Sequence, residues 1–258
     1  SREYVSPESS KSFKPNSVGK HITNLKTFLS NAFERKITTN QDFRMKGFKV
    51  LKEEVDSVYL NKEEIEVLEN ISLPPNSFDE KVRDLFVIGC HTGLRISDLK
   101  RLSEDHIRHT NNESYIEIEM LKTAKPVSIP LTEKLESLLL KYKTPSGRFF
   151  PSIHDQRVND AIKEIAAKAD IFKKEVIINV TEKGLRVSKL IPKYQLITNH
   201  TARRSFATNK VLEGYPYSAI MLITGHKTEK AFLRYVKISE YDAVKIFKQH
   251  ADKIKVAN

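Results

Sequence analysis

The stretch His200-Thr-Ala-Arg-Arg-Ser-Phe-Ala-Thr208, taken with Thr224-Gly-His226 and Tyr235, decides how the chain is to be read. His200 and Arg203 are three positions apart. A helix here puts both on one face near its N-terminus, where free backbone N–H groups also attract anions. Tyr235 follows His226 by nine positions, room for a turn and a short helix that returns the phenol to the same pocket. Working outward, His91-Thr-Gly-Leu-Arg95-Ile-Ser-Asp98 adds a second arginine. Guanidinium forks hold phosphoryl oxygens bidentately, imidazoles donate bonds or move protons, and a phenol can be a nucleophile. Singly, each residue is ordinary: a tyrosine between Phe232 and Val236 is usually a core aromatic, and an arginine a solvated charge. Together they suit attack on a phosphodiester. No carboxylate cluster accompanies them, so the chemistry requires no metal.

On these segments the chain resembles the tyrosine recombinase (phage integrase) family. The matching stretches are Thr92-Gly-Leu-Arg-Ile-Ser-Asp-Leu99, His200 to Thr208, and Thr224-Gly-His226 with Tyr235, in the family's order over about residues 58–237. The resemblance implies catalytic Arg95, His200, Arg203 and His226, with Tyr235 as nucleophile. It also implies an active-site lysine at the end of the first strand of a β-hairpin between the first arginine and the histidine box. Tyr115-Ile-Glu-Ile-Glu-Met120 alternates like a half-buried strand, Val127-Ser-Ile-Pro-Leu131 returns, and Lys122 and Lys125 lie between. From the residues alone these are solvated turn lysines. Against the family pattern Lys122 fits better, with Lys125 the runner-up. Two departures are Thr224, where the family usually has leucine, and Arg204, where it often has histidine.

Composition bounds the partners. The 258 residues include 44 Lys and Arg against 33 Asp and Glu, a net charge of +11, which favours a polyanion. With no stretch long and apolar enough to span a membrane, nucleic acid is the expected partner. The single cysteine, Cys90, falls in an apolar run and is expected to be a small buried hydrophobe in a reducing compartment. No internal repeat, Walker loop, zinc spacing or glycine-rich dinucleotide motif is found, and no cofactor is expected. The chain begins without methionine or signal peptide and reads as an excised fragment.

In chain order, Val18, Ile22, Leu25, Phe28, Leu29 and Phe33 recur at helical spacing, ending near Lys36. By resemblance residues 1–57 form a truncated core-binding segment that clamps DNA, followed by a catalytic domain over 58–258. Residues 48–60 read as a linker ending in a short strand. Asn61-Lys-Glu-Glu64 is a capping box opening the next helix, and Gly93 is placed to terminate the one after it. Arg95 then sits at a turn between helices. Asp98 is expected either to cap the following helix or to bond Arg95 from behind. Further helices are expected from Thr132, around Val158 to Ala169, and from Thr201 to Gly214. Residues 171–197 read as an added hairpin. Beyond Tyr235, Tyr241, Val244, Phe247, Ala251 and Ile254, with Lys245, Lys248 and Lys253 between, read as an amphipathic tail helix. The fold class is mainly α with a small antiparallel β-sheet.

The resemblance implies a site-specific recombinase or integrase of a phage or integrative element. It would act on double-stranded DNA through a 3′-phosphotyrosyl intermediate, without metal. Arg95 and Arg203 would stabilise charge on the non-bridging oxygens, His226 would add a hydrogen bond, and Lys122 would protonate the leaving oxygen. A free phenol titrates at about 10, so Tyr235 must share its proton, with His200 as partner. The expected assembly is a monomer when free and a homotetramer on paired sites, aided by accessory DNA-bending proteins, in the bacterial cytoplasm at the nucleoid. The alternatives are a type IB topoisomerase-like relaxing enzyme and a basic, non-catalytic DNA-binding module.

Overall fold

Proline at the first helical position and a left-handed residue after the last one bound the opening helix: Pro15 starts it and Lys36, at φ +58°, turns the chain away. The computed structural model describes residues 13–53, 56–110, 113–150, 153–182, 185–238, 240, 242–244 and 246–248. Among them the helices are α1 (Pro15–Glu34), α2 (Lys62–Glu69), α3 (Phe78–Thr92), α4 (Ile96–Leu99), α5 (Glu133–Leu140), α6 (Asp155–Ala166), α7 (Asn199–Leu212), α8 (Tyr217–Thr224) and α9 (Glu229–Leu233). The strands are β1 (Ile107–His109), β2 (Ser114–Met120), β3 (Lys125–Pro130), β4 (Glu175–Glu182) and β5 (Leu185–Pro192). The fold is mainly α with a small antiparallel sheet, as the sequence indicates. No described helix is long and apolar enough to cross a membrane.

The chain divides into two units. One takes the residues up to Asp56 together with Val176–Leu190, and the other takes Ser57–Glu175 and the residues from Ile191 onward. In the first unit the extended segment around Leu51 lies against α1 at Gly19, where an added Cβ would fall 1.9 Å from the Leu51 carbonyl oxygen. The Asn16 amide exchanges two bonds of 2.9 Å with the Glu53 backbone, as a neighbouring strand would. The β4–β5 hairpin joins this unit through Asp56, whose Oδ2 accepts from the Asn179 backbone at 2.7 Å and its side chain at 2.9 Å. Leu25 and Phe28 remain exposed on α1.

The second unit is built on α3. The Asn61–Glu64 capping box forms, each bond 2.8 Å, and starts α2. Ser77 accepts from the Glu80 N–H and starts α3. One flank of α3, with Val82 and Phe86, packs with Leu68, Ile162, Ile165 and Ala202. The other, with Leu85 and Ile88, packs on Ile116, Ile118, Val127 and Ile129 of the sheet and Leu135 and Leu139 of α5. Each such side chain, fully buried, contributes about 1.5–3 kcal/mol, so α3 is held from both sides. The sheet register pairs Ile116 with Ile129 and Ile118 with Val127, placing the alternating residues on α3. β1 was not expected: three residues, one of them apolar, carry no alternation to read.

Two sequence expectations are corrected. The linker before α2 does not end in a strand. Leu60 is fully buried and its backbone is held by side chains instead: its N–H donates to Ser205 Oγ at 2.8 Å and its carbonyl accepts from Asn209 Nδ2 at 3.0 Å. The returning arm of the inserted hairpin stops at Pro192, and residues 193–196 form a three-ten turn that leads into α7. Helical backbone beyond Tyr235 covers positions 240, 242–244 and 246–248, with Val244 and Phe247 exposed. Tyr241, Lys245, Ala251, Lys253 and Ile254 lie outside the described residues.

Candidate active site

Close packing of α3 on α7 creates the pocket. A Cβ on Gly89 would lie 3.0 Å from that of Ala202, and one on Gly93 would lie 2.5 Å from the Phe206 ring. Gly93 also adopts φ +67°, a left-handed conformation that glycine takes without strain. It ends α3 and turns the chain so that Arg95 becomes the residue before α4, with Leu94 and Leu99 buried beneath. The second arginine, Arg203, is 1% exposed. Its Nη1 donates to the Gly93 carbonyl at 2.7 Å, and its Nη2 donates to the Thr224 carbonyl. One buried guanidinium thus fastens the corner before Arg95 to the corner before His226. Burial, then the charge of Arg95, lowers the Arg203 pKa to about 10, with Tyr235 and Asp98 opposing the shift.

Gly225, at φ +66°, ends α8 and delivers His226, which is 6% exposed. Arg203 Nη2 lies 3.2 Å from His226 Nε2. Thr228 caps α9 by accepting from the Ala231 N–H, and this short helix brings back Tyr235. The Tyr235 ring centroid is 5.0 Å from that of His226 and 6.2 Å from that of His200. The Arg203 guanidinium carbon stands 5.3 Å from it. His200, exposed in the first turn of α7, has its pKa lowered by partial desolvation and then by Arg204, Arg203, Arg95 and Lys122. His226 is lowered to about 3 by burial, then Arg203 and Arg95. Both imidazoles are therefore neutral near pH 7.

The structure brings Arg203, His200, His226 and Tyr235 into direct proximity, with Arg95 acting on three of them electrostatically. Lys122 lies two positions past the end of β2, exposed in the 121–124 turn, close enough to contribute to the depression of His200. Lys125 is the first residue of β3, paired across from Met120. Asp98 neither bonds Arg95 nor caps α4. Its Oδ1 accepts from the Leu121 N–H at 2.9 Å and from Arg101 Nη2 at 3.1 Å, and Arg101 also donates to the Glu119 carbonyl. The carboxylate therefore holds the end of β2, and with it the lysine turn, to the arginine corner.

The roles of two further residues escaped the sequence reading. Thr208, fully buried on α7, donates to the Tyr235 carbonyl at 3.3 Å and accepts from the Lys237 N–H at 3.0 Å. Arg204 donates to the Val58 carbonyl at 3.1 Å and is one of the charges acting on His200. The available signal was a run of polar residues, Ser205, Thr208 and Asn209, among apolar ones on a helix that must be buried. Each holds the backbone of a neighbouring segment.

Six buried side-chain polar atoms lack a hydrogen-bond partner among the described residues: Arg95 Nη1, Asp98 Oδ2, Arg101 Nε, Thr123 Oγ1, Asn199 Oδ1 and Arg203 Nε. All belong to the Arg95–Arg101 corner, the lysine turn or α7. Unpaired buried polar atoms are rare in folded proteins, and here two of the six are guanidinium nitrogens of Arg95 and Arg203. Buried guanidinium donors left unpaired are suited to an oxyanion. Among the described residues no three His, Cys, Asp or Glu side chains converge as a metal site.

Residues 58–241 match the phage integrase family. An integrase of Escherichia phage P2 is 24% identical over 225 residues, covering 87% of this chain and 56% of the phage protein, so the chain spans about half its relative's length. Among solved structures, the fold resembles a Tn1549 transposon integrase in complex with circular intermediate DNA, with TM-score 0.61, 17% identity, and coverage of 90% and 78% of the two chains. It also resembles a lambda integrase dimer bound to a COC′ core site, with TM-score 0.59, 16% identity, and coverage of 84% and 71%. With its family match running from the linker before α2 to just beyond Tyr235, this chain belongs to the phage integrase family.

Proposed function

We propose that the protein is a site-specific recombinase that cleaves and rejoins double-stranded DNA through a 3′-phosphotyrosyl intermediate. The observation that carries this reading is buried Arg203 beside Tyr235, with half-buried Arg95 acting on it and each guanidinium keeping one unpaired, buried N–H donor. The Tyr235 hydroxyl oxygen bonds to phosphorus, the bond from phosphorus to the 5′-oxygen breaks, and a free 5′-hydroxyl from a partner duplex later reverses the step. Arg95 and Arg203 stabilise the charge that builds on the non-bridging oxygens. His200, neutral because its pKa is depressed, takes the phenol proton. Lys122 protonates the leaving 5′-oxygen. Complexes of the Tn1549 and lambda integrases with DNA support the partner.

In the same reading the first unit clamps DNA, the protein is monomeric when free and tetrameric on paired sites, and accessory DNA-bending proteins assist. Its host element is a phage or integrative element of a bacterium, acting at the nucleoid. The test is incubation with a pool of nicked suicide duplexes of randomised core sequence, followed by denaturing separation. A covalent protein–DNA adduct is expected from the wild type and none from Tyr235→Phe. An adduct that survives Tyr235→Phe, or none from wild type at any ionic strength, refutes the proposal.

A further inference from the structure

Thr224 is the last residue of α8 and is fully buried. Its hydroxyl oxygen lies 2.7 Å from the Ile220 carbonyl oxygen and 2.7 Å from Nδ1 of His226. A threonine hydroxyl carries one proton, and a carbonyl oxygen can only accept. The proton therefore points back to Ile220, the bond to residue i−4 that threonine makes inside helices. What faces His226 is a lone pair. Two lone pairs do not face each other at 2.7 Å, so Nδ1 carries hydrogen and donates to Thr224. Arg203 Nη2, always a donor, lies 3.2 Å from Nε2 and 3.5 Å from Nδ1, so Nε2 is the ring nitrogen nearer the guanidinium. A second proton there would be set against the guanidinium in a buried site, and the imidazole accordingly resists protonation down to about pH 3.

We propose that Thr224 is a positioning residue that locks His226 in the Nδ1–H tautomer, leaving Nε2 as its acceptor toward Arg203. The proposal rests on the cleavage reading above for its consequence. The family resemblance implies that His226 adds a hydrogen bond to a phosphate oxygen; in the resting protein its Nε2 is instead an acceptor. It accepts from Arg203 and helps fix that guanidinium, whose Nε stays unpaired for the phosphate. The hydroxyl does what a carbonyl or carboxylate behind a histidine does elsewhere: it decides which ring nitrogen is free. A leucine at this position has no lone pair to offer.

The test has two arms. The first records long-range ¹H–¹⁵N spectra of uniformly labelled protein without DNA, assigning His226 by its loss in His226→Gln. A protonated Nδ1 and a bare Nε2 at neutral pH are expected, unchanged down to about pH 5. An Nε2–H pattern overturns the proposal whether or not the protein cleaves DNA. The second arm compares Thr224→Val, of nearly equal volume, with Thr224→Ser, using duplex recovered from the suicide pool. Valine should abolish the fixed Nδ1–H signature and slow adduct formation about tenfold, with DNA affinity retained. Serine should restore both. A valine variant that keeps the tautomer, or a serine variant that fails to restore it, makes Thr224 merely structural and ends the proposal. Absence of any adduct alongside the expected wild-type tautomer instead sinks the cleavage reading and leaves the tautomer assignment in place.

Discussion

The Arg203 guanidinium carbon lies 5.3 Å from the centre of the Tyr235 ring, while the same side chain donates to the carbonyls of Gly93 and Thr224. One residue therefore lies against Tyr235, the proposed nucleophile, and ties together two corners more than a hundred positions apart. Its contribution to the fold and its contribution to the chemistry are separable by comparison with Arg95.

Arg95→Ala and Arg203→Ala should each slow covalent adduct formation by two to three decades, or about 3–4 kcal/mol, the loss of one preorganised donor to a developing oxyanion. Only Arg203→Ala should also lower stability, because it leaves the buried Gly93 and Thr224 carbonyls without this donor at a cost of about 1–3 kcal/mol each. Urea unfolding beside single-turnover cleavage checks both parts. Cleavage within about threefold of wild type in either variant contradicts the pocket assignment.

Thr208→Val should leave DNA binding unchanged and slow cleavage about tenfold, since valine keeps the shape but frees the Tyr235 carbonyl and the Lys237 N–H. The expected accompaniment is faster hydrogen exchange at the Lys237 amide. Wild-type exchange and wild-type rate together would mean that the α9–Tyr235 segment holds its place without this clamp.

Lys122→Ala should lose cleavage of ordinary DNA and recover it on a substrate with a 5′-bridging phosphorothiolate, whose sulfur leaves without a proton. Recovery in Lys125→Ala instead transfers the acid role to the start of β3. Cleavage should persist in excess chelator, because arginines and a lysine occupy the positions a metal clamp would fill. An absolute need for a divalent ion would overturn that reading.

Acid should destabilise the protein through His226. Its folded pKa of about 3 lies below the ordinary histidine value. The unfolded chain therefore binds a proton that the folded one refuses between roughly pH 6.5 and 3. The stability contributed by the neutral imidazole is complete above the unfolded pKa and is lost as pH falls toward the folded one, with a slope of up to about 1.4 kcal/mol per pH unit. His226→Gln should flatten the stability curve in this window. An unchanged slope between pH 6 and 4 would show that His226 is protonated in the folded state.

Much of this was legible in the chain itself. The capping box at Asn61 and Glu64, the helix end at Gly93, the β2–β3 alternation and the helical setting of His200 and Arg203 depend on neighbours within a few positions, and local rules read such neighbours well. The family was legible for a different reason: the residue types and order of the candidate set are too specific a combination to be matched by chance. The tertiary structure decided what each polar group bonds. Asp98 was free, by sequence, to cap a helix or to support Arg95, and the fold gave it instead to Leu121 and Arg101. The linker before α2 held enough apolar residues for a strand but found Ser205 and Asn209 rather than a sheet partner. Thr224 looked like a neutral departure until packing set its hydroxyl between Ile220 and His226. Hydrogen-bond partners distant in the chain carry no local signal, because only the close approach of α3, α7 and α8 brings them within reach.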